Sequence, residues 1–68
     1  MKLVKIQTEY ITLGQFLKYT SIVNTGAEAK YYLQDQDVYV NGIKENRRGR
    51  KLYKDDEITI NNEKYVIR

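Results

Sequence analysis

The apolar residues of this chain change period at Asp35-Gln36-Asp37, and that switch limits the fold more than any other feature. Upstream of it the spacing is helical. Thr12-Leu13-Gly14-Gln15 fits a capping box, in which Thr12 accepts from an early backbone N–H and Gln15 reaches back to the cap. Leu13, Phe16 and Leu17 then fall at i, i+3 and i+4, which predicts one core-facing stripe lasting to about Tyr19. Ser21-Ile22-Val23-Asn24 reads as a connector. A second capping box, Thr25-Gly26-Ala27-Glu28, opens a helix with Ala29, Tyr32 and Leu33 on one face to about Gln34.

Downstream the spacing alternates. Val38 and Val40 point one way and Tyr39 the other. Asn41-Gly42 is a strong hairpin signal, because a type I′ turn needs positive φ at both central positions. The return strand is expected from Ile43 to about Asn46. Lys54-Asp55-Asp56 reads as a turn, and Ile58 and Ile60 alternate with Glu57 and Thr59. A loop at Asn61-Asn62-Glu63-Lys64 would set Ile60 opposite Tyr65 and Ile58 opposite Ile67. Residues 3–7, with Leu3, Val4 and Ile6, read as one further short strand.

A chain of 68 residues is a single domain near the lower limit at which one apolar core holds a fold together. It contains neither Cys nor His, so disulfides and the usual zinc, iron–sulfur and copper ligand sets are excluded. No segment has the length of a membrane span or of a signal peptide's apolar region, and a cytoplasmic location is the expectation. Catalysis is not expected: one Ser in a connector leaves only carboxylates and Lys for acid–base or nucleophilic work. The acids Asp55-Asp56-Glu57 are explained by turn chemistry. Seven Tyr and one Phe make the aromatic set; Tyr31 and Tyr39 suit either stacking on bases or covering the sheet, and covering is the expectation.

Charge is distributed unevenly. Between residues 44 and 54 stand Lys44, Arg47, Arg48, Arg50, Lys51 and Lys54 against one acid, Glu45. That local balance of +5 leaves −2 for the remainder of a chain whose total is +3. One basic loop on a slightly acidic body suits a polyanion. Arg brings a planar fork that meets phosphate oxygens bidentately, Lys a point charge, and Gly49 lets the backbone approach a phosphate or take positive φ. The helix start at Thr25-Gly26 adds N–H groups and a positive dipole end, with Gly26 leaving the site open. The loop's like charges should repel, so neutralising Arg47, Arg48 and Arg50 together should not lower stability.

Thr25, Ala29, Leu33, Val38, Val40, Asn41, Gly42, Asp56 and Ile58 occur in an order and spacing that resembles the S4 RNA-binding domain family. The similarity runs over about residues 11–60. The Arg-Arg-Gly-Arg-Lys-Leu segment looks like the small stand-alone members. The resemblance implies an α+β, S4-like (αL) fold, with two short N-terminal helices packed on a small, mostly antiparallel sheet of four to five strands. It also implies an RNA-binding surface: Thr25 at the helix start, Lys30 one residue after the Ala, Asn41 and Gly42 in the hairpin, and the basic segment Lys44, Arg47, Arg48, Arg50 and Lys51. Gly26 and Thr12 stand where the family usually has Arg, which shifts a larger share of binding onto the basic loop. Gln36 and Asp55 stand where the family has Gly.

The expected activity is therefore a monomer gripping structured RNA, with ribosomal RNA the expected target, by backbone and shape, with no cofactor and no membrane partner. Two alternatives use the same charges: an adaptor docking an acidic protein, and non-specific DNA binding.

Overall fold

The computed structural model describes residues 1–68. Two short strands, β1 (Lys2–Val4) and β2 (Tyr10–Thr12), precede helices α1 (Leu13–Tyr19) and α2 (Gly26–Asp35). The first capping box is complete: the Thr12 hydroxyl accepts from the Gln15 N–H at 3.2 Å and Gln15 Oε1 accepts from the Thr12 N–H at 2.8 Å. The stripe Leu13, Phe16 and Leu17 is fully buried. Ser21 takes a left-handed φ of 62° and folds the chain back, so that Ile22 and Val23 donate to the Leu17 carbonyl. The second box closes only in part. Thr25 Oγ1 accepts from the Glu28 N–H, but the Glu28 carboxylate turns to the Asn24 N–H instead of the cap residue. Gln36 ends α2 in extended backbone, φ −111° and ψ 149°, so no left-handed cap is needed and the missing Gly costs nothing.

Five strands follow: β3 (Val38–Val40), β4 (Ile43–Lys44), β5 (Lys51–Tyr53), β6 (Glu57–Ile60) and β7 (Glu63–Ile67). They form a five-stranded sheet in the order β1-β7-β6-β3-β4 and a separate two-stranded sheet of β2 and β5. All pairings are antiparallel except β1 with β7, which is parallel. Asn41 and Gly42 have φ of 51° and 82°, as a type I′ hairpin requires. Asn41 is held further by the turn before β6: its Oδ1 accepts from the Glu57 N–H and its Nδ2 donates to Asp56. Asp55 adopts φ 75° where the family's Gly would be unstrained.

Three expectations need correction. The β6–β7 turn is Asn61-Asn62 alone, both with positive φ, so Ile58 faces Tyr65 and Ile60 faces Glu63, two residues away from the predicted register. An Asn-Asn pair makes the same tight turn as Asn-Gly, because Asn tolerates the left-handed region. Second, β4 stops at Lys44: Glu45 still donates to the Val38 carbonyl, and then the chain curls to bury the Glu45 side chain. Third, Tyr31 is 62% exposed and covers nothing, whereas Tyr39 is half-buried on the sheet.

The core joins Val4, Leu13, Phe16, Leu17, Val23, Ala29 and Leu33 to Val38, Val40, Leu52, Ile58, Ile60, Tyr65 and Ile67. Helices and the larger sheet meet there, and Leu52 ties the small sheet to the same core.

Candidate nucleic-acid interface

Glu45 organises the basic loop. Its side chain is 7% exposed, and it accepts from the backbone N–H groups of Asn46 and Arg47 and from Nε and Nη2 of Arg47 and Nη1 of Arg50, all at 3.0–3.1 Å. These bonds hold the carboxyl at a pKa of about 2, with the Arg47 side chain the largest cause and burial opposing it. The guanidinium groups cover the carboxylate, while Arg47 itself stays 73% exposed. The loop is therefore an acid-centred knot in which two of three arginines attract a shared partner. The expectation of mutually repelling charges is wrong here, because the single acid of the run lies inside it.

Two further contacts fix the loop against the helices. Leu13 and Gly14 donate their N–H groups to the carbonyls of Arg50 and Arg48, each at 2.8 Å, so the loop backbone caps α1. Arg48 reaches across and donates from Nη1 to the Gly26 carbonyl at 3.0 Å, at the first residue of α2. Gly49 lacks positive φ, so conformational freedom is not its role, although a side chain there would meet nothing. Gly14 has a firmer role: a Cβ on it would lie 3.3 Å from both Cβ and O of Arg48. Gly14→Val is expected to push the loop off α1 at a cost of about 1–3 kcal/mol. The thermal unfolding midpoint should fall by roughly 5–20 °C for a domain of this size. An unchanged melting curve by circular dichroism would show that the loop is not clamped there.

The structure brings Arg48, Thr25 and Gly26 together. Lys30 follows Gly26 by one helical turn and is exposed on α2, on the face that Gly26 begins. Lys44 lies at the end of β4, paired with Asp37 at 3.0 Å in an exposed bridge that raises its pKa through the hydrogen bond to Asp37. Lys51 starts β5 with its ammonium 4.9 Å from the Tyr10 ring centroid. Asn41 and Gly42 make none of the knot's bonds, and the Asn41 amide is occupied by the Asp56–Glu57 turn. Sequence reasoning passed over four residues that shape this surface: Glu45, Gly14, Tyr10 and Tyr53. A glycine in the first turn of an otherwise well-capped helix, where Ala would favour the helix, is the signal by which Gly14 could have been found.

This arrangement of two helices, a hairpin sheet and an intervening basic loop defines a protein class. The chain belongs to the S4 domain family, whose sequence profile matches residues 4–68. It is also 49% identical over 57 residues to the Probable ribosome maturation protein RlbA of Bacillus subtilis (strain 168), a match that takes in 84% of this chain and 80% of that protein. No helix is long and apolar enough to cross a membrane.

Proposed function

We propose that this protein binds structured RNA of the ribosome or its precursors, as a monomer and without catalysis, through the loop Glu45–Lys51 and the N-terminus of α2. The observation that carries the reading is the Arg48–Gly26 bond, which joins the most cationic segment to a helix start. The Thr25 hydroxyl satisfies the Glu28 N–H, while the amides of Gly26 and Ala27 in the first turn have no partner within the chain and stand at the positive end of the helix dipole. Such a surface meets phosphates in a fixed geometry and favours shape over base sequence. The ribosomal target is suggested by the name of the RlbA relative together with family membership.

Titrating ribosomal RNA fragments at several salt concentrations tests this. Arg48→Ala and Lys51→Ala should each weaken binding and flatten the log–log salt slope by about one unit. Unchanged affinity and slope in both variants would remove the loop from the interface. Duplex DNA of equal length should compete poorly, and equal competition would favour non-specific DNA binding. Partners that persist in a nuclease-treated pull-down would instead favour an acidic protein.

A further inference from the structure

The loop leads directly into a face of the molecule that phosphate binding leaves unexplained. In the two-stranded sheet Tyr10 lies opposite Tyr53, Ile11 opposite Leu52 and Thr12 opposite Lys51. Leu52 points into the core, so Tyr10, Tyr53, Thr12 and Lys51 share the outer face. The two rings are 5.7 Å apart between centroids and inclined at 46°, and they remain 37% and 43% exposed. Lys51 lies against the Tyr10 ring. Beside Tyr53 runs an open groove of about 460 Å³ lined by Arg47, Gly49, Arg50, Lys51 and Tyr53.

A cross-strand Tyr pair stabilises a two-stranded sheet by itself. That role requires neither the exposure of both rings nor a groove whose other walls are cations. A ring face beside three cations matches one ligand chemistry in particular: a nucleotide, with its flat apolar base and its anionic phosphate. An acidic peptide would use the cations and leave the ring unoccupied. A paired duplex would offer phosphates but no free base face, since its bases are stacked on one another. With the rings inclined, one base stacks on one ring, and Tyr53 is the ring that borders the cationic groove.

We propose that Tyr53, with Lys51, Arg47 and Arg50 around it, is a stacking site for a single unpaired RNA base, adding selectivity for bulged or looped-out nucleotides to the backbone grip. The inference rests on the RNA-binding reading above. Its location is favourable: the phosphates flanking such a base would reach the Glu45 knot, whose arginines are already held in place.

The test compares three hairpin RNAs of one stem: fully paired, carrying one bulged adenosine, and carrying an abasic residue at the bulge. Binding is followed by fluorescence anisotropy. The parent protein should bind the bulged adenosine roughly ten- to a hundredfold more tightly than the abasic hairpin. Tyr53→Leu should abolish that preference while keeping the parent's salt slope, and Tyr53→Phe, which retains the ring, should keep the preference. With 2-aminopurine in place of the adenosine, binding should change its fluorescence in the parent and the Phe variant and not in the Leu variant. A parent that binds all three hairpins equally, or a Leu variant that retains the preference, overturns the stacking site while leaving the phosphate grip standing. Absence of salt-dependent binding to any hairpin overturns both.

Discussion

Glu45→Gln is expected to weaken RNA binding although it makes the protein more cationic. The substitution raises the formal charge from +3 to +4. If the loop worked as a cloud of charge, affinity would rise. In the folded protein the carboxylate fixes Arg47 bidentately and Arg50 by one bond, and it satisfies two backbone N–H groups at the loop's entry. An amide has one acceptor oxygen for these five bonds and no charge to strengthen them. Released arginines must then be ordered by the RNA, and each long side chain carries considerable rotamer freedom to be lost on binding. Affinity at 0.15 M salt should fall about three- to tenfold, a modest share of the ordering cost of two such side chains. The salt slope should be no shallower, because no cation has been removed. Tighter binding at that salt concentration, in a variant shown to be folded, would establish that the knot has no positioning role.

The same substitution should lower stability by about 1–3 kcal/mol through the weakened bonds to a covered group. That corresponds to a fall in melting temperature of roughly 5–20 °C for a domain of this size. The pH dependence has a definite sign. The folded carboxyl titrates near 2, below its ordinary value of 4.5, so its contribution is fully present above about 4.5 and is lost as pH falls towards 2. The parent's advantage over Glu45→Gln should therefore shrink across that window and remain constant between pH 5 and 7. A difference that did not change with acidification would place the effect in packing and not in the charge.

Elements announced by their own residues were legible in the sequence. Thr12 and Thr25 marked both helix starts, and Asn41-Gly42 fixed the β3–β4 hairpin, because each device operates within three or four residues of chain. What depended on distant partners was not legible. The pairing of β2 with β5 joins two three-residue segments, Tyr10–Thr12 and Lys51–Tyr53, across some forty residues of intervening chain, and each has only one inward apolar side chain to betray it. The β6–β7 register depends on Asn61 and Asn62 both taking positive φ, which residue type alone does not distinguish from a four-residue loop through Lys64. In the candidate interface, composition and family pattern pointed to the basic loop but not to its internal chemistry. Glu45 entered the sequence reading as one negative unit in a charge count. Its meaning depends on the chain curling so that residues 47 and 50 return to it, a shape that Leu13, Gly14 and Gly26 enforce from elsewhere.

That dependence of the surface on the scaffold makes Phe16 the most sensitive position in the molecule. It is fully buried, it is the largest of the fully buried side chains, and its ring meets Tyr65 edge-on at 5.3 Å between centroids. Phe16→Ala should cost about 3–5 kcal/mol, from lost transfer energy and the cavity left between α1 and the sheet. Domains of this length have a total stability of roughly 3–10 kcal/mol, and without Cys no disulfide can supplement it. The melting temperature should drop by more than about 12 °C, and a large fraction of the variant should be unfolded at 37 °C. Phe16→Leu, which retains most of the volume, should cost less than about 1.5 kcal/mol and keep the two-state transition. RNA binding separates the two kinds of damage, because Phe16 belongs to the core and the bonds that fix the loop are made by Leu13, Gly14 and Gly26. The Ala variant should bind normally once cold or a stabilising osmolyte restores its circular dichroism, since such cosolutes strengthen effective burial. Binding that stayed lost in the refolded variant would mean that the core sets the geometry of the loop as well as its existence. A melting temperature within a few degrees of the parent would contradict the placement of Phe16 at the centre of the core.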